Sequence, residues 1–313
     1  MRVITGRAYE FDHPVAVAVD GVDLFVANDP RHGGGSLTEV NASTRARVRV
    51  IARRADRFDH PVAVAVHGGH VFVVNAGSHG AGSLTEVDAA SGSLVRVIAG
   101  RAYEFDHPIA AAVDGGNLFV ANAVPGAGSL TEVKASTGAL VRVIAGRAYE
   151  FNHPDAVTVR GGDLFVANGV QGAGSVTEVD AATGAAVRVI AGHAYEFDHP
   201  DAVAVNGREL FVANGVHGAG SVTEVDATTG AAVRVIAGHG YEFDHPVAVA
   251  ASGGDLFAAN ALHGAGSLTE FDAATGRAVR VISGPAFGFD DSVALAVNGG
   301  HLFVANAGGD SLT

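Results

Sequence analysis

A nine-residue string, FDHPVAVAV at residues 11–19, returns almost unchanged at 58–66, 105–113, 151–159, 197–205 and 243–251, and once more as FDDSVALAV at 289–297. The spacing is 47 residues twice and then 46 residues four times. A fixed period of that length restricts a chain to a solenoid, a propeller or an array, because each unit must bury its apolar face against the next copy. Repetition from end to end also favours one continuous architecture over residues 1–313, where length alone would allow two domains.

Residues 105–151 serve as a specimen unit. PIAAAV (108–113) is short, apolar and opened by proline, which a strand tolerates at its first position. The two-glycine turn Asp114-Gly115-Gly116-Asn117 suits a hairpin. LFVAN (118–122) is rich in the aromatic and branched residues that fit a pleated surface. A glycine-bearing loop, a third strand SLTEV (129–133), another turn and a fourth strand LVRVI (140–144) complete the unit. Four short strands per period, with no helical pattern, predict a propeller blade. Leucine-rich repeats and β-helices have shorter periods and fewer strands per turn.

Within the blade, the first strand alternates alanine with valine, which predicts an innermost position where neighbouring blades crowd. Phenylalanine holds one place in every second strand (Phe25, Phe72, Phe119, Phe165, Phe211, Phe257, Phe303), as a packing layer between blades would require. Burying one such ring contributes about 1.5–3 kcal/mol. Asn28 and its equivalents, which end the second strand, are expected to bond loop backbone. Glutamate and arginine recur ten residues apart, from Glu39 and Arg49 to Glu270 and Arg280, and should face each other across a hairpin. Such a cross-strand pair contributes roughly 0.2–1 kcal/mol.

The two ends complete the topology. The opening MRVI matches the fourth strand of a unit, VRVI, and the final DSLT matches the beginning of the third. A closing blade built from residues 293–313 and 2–4 is therefore predicted, three strands from one end and one from the other. The expected fold is an all-β, seven-bladed β-propeller of four antiparallel strands per blade, whose closure leaves no broken blade edge. Arg2 is expected to lack a carboxylate partner in that blade. Ends that both fall inside one blade also fit a piece of a larger sensor or scaffold, and the near-identity of the blades fits recent amplification or a consensus array.

The motifs HPVAVAVDG (13–21), DLFVAN (23–28) and TEVDAATG (177–184) resemble the NHL and YVTN type of β-propeller repeat, including blades of the virginiamycin B lyase kind. The resemblance covers the whole chain. It implies a central channel with loops gathered at its two mouths, and a fold that carries scaffolds, sensors and a few enzymes. No motif here allows a catalytic residue to be carried across.

Candidate functional residues fall on the loops between blades and on those after each second strand, which should share one face. The first set supplies His13, His60, His107, His153, His199 and His245; the second supplies His32, His79, His217 and His263. A histidine ring at the channel mouth could hold a metal ion, an anion or a partner's side chain. The alternative is that each Asp-His pair fixes the loop before its proline, and no cofactor is expected. Arg53, Arg54 and Arg57, with Arg31 nearby in the preceding loop, break the repeat and would suit an acidic peptide or a phosphate. Asp155 and Asp201 follow His-Pro in two adjacent blades, where they could raise each other's pKa.

Charge and composition narrow the function. The net charge of −13 would repel a phosphate backbone, so nucleic acid is not an expected partner. No long apolar run or leader-like start is present, so no membrane span is expected and a cytoplasmic monomer is the simplest reading. Without cysteine, thiol catalysis and thiolate metal sites are excluded. Catalysis needs one constellation of unlike groups, whereas near-identical blades multiply every site. The expectation is a non-catalytic scaffold binding a protein or small-molecule ligand through its loop face and channel mouth. The alternative is a lyase- or lactonase-type enzyme with its site at that mouth.

Overall fold

The computed structural model describes residues 2–30, 34–52, 55–262 and 266–313. The specimen unit forms its four strands at Pro108–Asp114, Asn117–Asn122, Ser129–Lys134 and Leu140–Ala145. Each strand is one residue longer than its expected string, because the flanking residue still pairs in the ladder: Asp114 lies opposite Asn117, Asn117 opposite Lys134, and Ala145 opposite Ser129. Seven such antiparallel four-stranded sheets follow one another in a ring, a seven-bladed β-propeller. First strands of neighbouring blades lie side by side around the centre, where alanine and valine leave room for that approach.

Both chain ends build the last sheet, in the order Ile4–Thr5, Ser311–Leu312, His301–Asn306 and Ser292–Asn298. Ile4 stands opposite Leu312 and Thr5 opposite Ser311. The paired stretch is shifted toward Thr5 from the expected 2–4, since the third strand runs out at Thr313 before it can face Arg2. No ion pair joins Arg2 to any described residue.

The phenylalanine layer lies between blades as expected. Phe25 packs with Val71, Val73 and Val87 of the following blade, Phe119 with Leu164 and Val166, and Phe303 closes the ring against Leu24 and Val26. Close backbone approach reinforces this layer. A Cβ on Gly174 would lie 2.5 Å from Cδ of Pro200 in the next blade, and one on Gly220 would lie 2.4 Å from Cδ of Pro246. Only glycine fits there.

Two sequence expectations need correction. The asparagines that end the second strands reach mainly across the sheet instead of into the loop. Asn28 Nδ2 donates to Ser36 Oγ and Thr38 Oγ1, each at 3.1 Å, and the pattern repeats to Asn306 with Ser311 and Thr313. The threonine then donates to the backbone of the inter-blade connection, as Thr177 Oγ1 does to the Tyr149 carbonyl at 2.7 Å. This ties each sheet to the chain entering it. An amide buried at 0–1% exposure must find such partners, and the hydroxyls beside it on the third strand are the nearest.

The glutamate–arginine pairs do face each other as expected, but with the glutamate buried their weight in the fold exceeds the expected cross-strand contribution. Glu132 and Arg142 are 2.5 Å apart with the glutamate side chain fully buried, and Glu178 pairs with Arg188 at 3% exposure. The arginines of blades one to five also reach into the next blade: Arg142 Nη2 donates to the Ala182 carbonyl at 2.7 Å and Arg188 Nη2 to that of Thr228 at 2.9 Å. The pair is therefore an inter-blade clamp, bound more tightly to the fold than an exposed cross-strand pair.

Candidate functional site

The two loop families meet on one face. The residue after each second strand donates its backbone N–H to the histidine that opens the same blade, for example Gly169 to the His153 carbonyl and Gly215 to that of His199, both at 2.8 Å. This bond holds all six histidines in the left-handed region, at φ 50–55°, with Asp291 in the equivalent place of the closing blade. At the junctions into blades four, five and six, the residue before the histidine anchors the preceding blade, whereas Asp59 instead accepts from Ser78 of its own blade. Asp198 Oδ1 accepts from Gly172 N and Asp244 Oδ1 from Gly218 N, both at 2.6 Å, and Asn152 Oδ1 from Gly126 N at 2.7 Å. Thus the Asp-His dipeptide carries loop architecture before it carries any chemistry.

The six histidine side chains do not form one symmetric ring of like contacts. His13 donates its backbone N–H to Asp310 Oδ1 at 2.7 Å. His60 Nδ1 lies 3.2 Å from Asp29 of the preceding blade, and His107 Nδ1 lies 2.7 Å from Asp106 beside it. Among the described residues, no three histidine, aspartate or glutamate side chains come together as metal ligands.

Symmetry breaks on blades four to six, where carboxylates and imidazoles form an arc. His153 Nδ1 is 2.7 Å from Asp155 Oδ1, His199 Nδ1 is 2.8 Å from Asp201 Oδ1, and His245 Nε2 is 3.8 Å from Asp201 Oδ2. The His245 ring stacks on His217 at 4.3 Å between centroids. Burial pushes the Asp155 carboxyl up to about 6, against the pull of His153, and the Asp201 charge adds to the rise. Burial also raises Asp201, which the histidines around it counteract. Desolvation is thus the main cause, and mutual repulsion between the two carboxylates is secondary.

A sequence signal for this arc exists beside the aspartates. Only the two blades with His-Pro-Asp carry glycine directly after the second strand, Gly169 and Gly215; other blades carry aspartate or alanine. The reason is steric: Oδ2 of Asp155 and of Asp201 each lies 1.7 Å from where a Cβ on that glycine would stand. The Asp155 side chain, 9% exposed, leaves Oδ2 without a hydrogen-bond partner among the described residues. The arc can exchange protons and attract donors or cations, but among the described residues no serine or threonine hydroxyl is bonded to its imidazoles.

Of the basic irregularity, Arg31, Arg53 and Arg54 lie outside the described residues, as do His32 and His263. Arg57 is described: it is exposed, at φ 51°, in the place where other connections hold glutamate.

The same face carries a feature that sequence reasoning missed. Between blades three and four, four and five, and five and six, the loops enclose grooves of about 620, 590 and 820 Å³. Each has a Gly-Ala-Gly floor from the loop of one blade and a wall from the connection into the next. Adjacent grooves share walls: Ala173 and Ala191 line the first two, Ala219 and Ala237 the second and third. The three therefore form one curved track, with one period per blade. The repeated GAGS string was visible in the sequence, but its meeting with the Ala-Gly of the connection depends on the ring.

No family model matches the chain, and no curated protein does. Solved structures match it over nearly its whole length. A chain of the Kuenenia stuttgartiensis hydrazine synthase is 19% identical, with a TM-score of 0.79 and coverage of 99% of this chain and 97% of that one. A chain in the crystal structure of the mitotic checkpoint complex is 14% identical, with a TM-score of 0.75 and coverage of 99% and 89%. The Neurospora crassa Pan2 WD40 domain is 10% identical, with a TM-score of 0.70 and coverage of 98% and 90%. At these identities the likeness is one of fold, and the chain shares the β-propeller architecture with all three.

Proposed function

We propose that this propeller is a non-catalytic recognition scaffold whose loop face binds a protein segment, with the channel mouth beside Asp155 and Asp201 as a secondary site for small ligands. The observation that carries this reading is the track: equivalent grooves at consecutive blade junctions offer one partner several weak contacts, which sum through avidity. Catalysis would gain nothing from such repetition. Groove volumes of 590–820 Å³ also suit side chains or a short peptide stretch. Similarity in fold to a WD40 domain and to a chain of the mitotic checkpoint complex is consistent with it, as is the resemblance of the repeats to the NHL and YVTN type. His153, His199 and His245 would then orient the mouth rather than hold a metal, and Arg57 would mark the rim of a separate basic edge.

Panning a random peptide library against the 313-residue chain tests this directly. Ala173 and Ala219 are exposed walls of the track, so replacing both with tryptophan blocks it without touching the core. The expected result is enriched peptides whose affinity drops at least about tenfold in the A173W/A219W variant, a loss near 1.4 kcal/mol. Peptides that bind both proteins equally, or a library from which nothing is enriched, would count against the reading.

A further inference from the structure

The track between blades four and six is charged in one sense. The groove between blades four and five is lined by Glu196 and Asp198, and the next by Glu242 and Asp244. Neither contains lysine or arginine among its lining residues; their basic side chains are His193 and His239. Of the three, the groove between blades three and four balances its acid, Glu150 facing the same space as Arg147. The two later grooves thus each hold two carboxylates, on a chain whose net charge is already −13.

The carboxylates are not all spent on the fold. Asp198 and Asp244 each bond a loop glycine through one oxygen. Glu196 and Glu242 are exposed and have no ion pair with any described residue. The contrast is with Glu10, which meets Arg47 at 2.6 Å; the positions corresponding to Arg47 in blades five and six are Ala232 and Ala278. Glu104 and Glu150 likewise have no ion pair with any described residue, but neither lies in the two grooves whose lining is wholly acidic apart from histidine.

We infer that the track on blades four to six takes an extended cationic peptide, its lysine or arginine side chains meeting Glu196 with Asp198 and Glu242 with Asp244, its backbone passing over the Gly-Ala-Gly floors. This rests on the reading of the loop face as a recognition surface and names its partner class. The floor residues Gly172, Ala173 and Gly174 offer nothing larger than a methyl group, which lets a second backbone come close. Carboxylates at consecutive blade junctions then set the register, and a phosphate-bearing or acidic partner is repelled.

Fluorescence anisotropy with labelled deca-lysine, deca-glutamate and a neutral glycine-serine decapeptide provides the test. Deca-lysine is expected to bind the wild-type chain, more weakly as salt rises, while the other two do not. The E196Q/E242Q variant should weaken deca-lysine binding by about tenfold. D20N/D114N, which removes two charges from the turns at the opposite end of the blades, should change it less than about twofold. Equal weakening by both variants would mean bulk charge alone and overturn the inference, as would no weakening by E196Q/E242Q. If panned peptides are lost on A173W/A219W while deca-lysine binds that variant unchanged, the recognition surface stands and its cationic partner does not.

Discussion

Replacing Arg188 with methionine is expected to destabilise the propeller by about 3–5 kcal/mol at neutral pH, far more than loss of an exposed ion pair. The glutamate it neutralises, Glu178, is 3% exposed and lies opposite it across the hairpin. Burial pushes the Glu178 carboxyl above its ordinary range and Arg188 pulls it back. Removing the guanidinium leaves a buried carboxylate without its partner and also strips the Thr228 carbonyl of its 2.9 Å donor in the next blade. The sign with pH follows. In the variant, the folded-state pKa of Glu178 rises further, so the variant's deficit should shrink as pH falls and the carboxyl takes a proton. Adding Glu178→Gln should recover much of the loss at pH 7. Urea denaturation measures all three proteins; a deficit below about 1 kcal/mol would place the pair in the exposed class.

Asp155→Asn should show the opposite pH behaviour, with an effect nearly as large. A carboxyl raised in the folded state from 3.8 to about 6 favours folding only while protonated. Its contribution is complete below pH 3.8 and is lost as pH rises through 6. At about 1.4 kcal/mol per pH unit, that interval corresponds to about 3 kcal/mol. Asparagine does not titrate, so the stability difference between variant and wild type should move by roughly 2–2.5 kcal/mol in the variant's favour between pH 4 and pH 7, the rest falling below pH 4 where the unfolded carboxyl still titrates. That shift is expected whatever the difference at pH 4, since lost packing enters equally at both ends. A pH-independent difference would show that the Asp155 carboxyl titrates normally.

How much of this was legible in the residues depends on whether the relevant contact lies within one repeat or between two. Strand positions, blade count and the Glu178–Arg188 facing were readable because period-two patterning and turn glycines act locally. The burial of that pair was not, since it depends on the neighbouring blade's turn covering the carboxylate. The function of Asn28 was misplaced for a related reason: asparagine closes turns in general, but here Ser36 and Thr38 lie across the ladder and within 3.1 Å. The arc of Asp155 and Asp201 was found as a departure from the repeat, while its steric complement, Gly169 and Gly215, was present in the sequence and went unused. The track was invisible to local reading, because its floor and wall come from different blades.

Ring closure by the two chain ends is the claim on which blade order, the shared loop face and the track all depend, and a single covalent measurement addresses it. The chain has no cysteine, so a T5C/S311C variant introduces one unambiguous pair at residues that face each other in the closing sheet. Under oxidising conditions, mass spectrometry of the monomer should find one intramolecular disulfide linking the N-terminal and C-terminal peptides. Free thiols in the folded monomer, or disulfides formed only between molecules, would contradict a ring closed in this way.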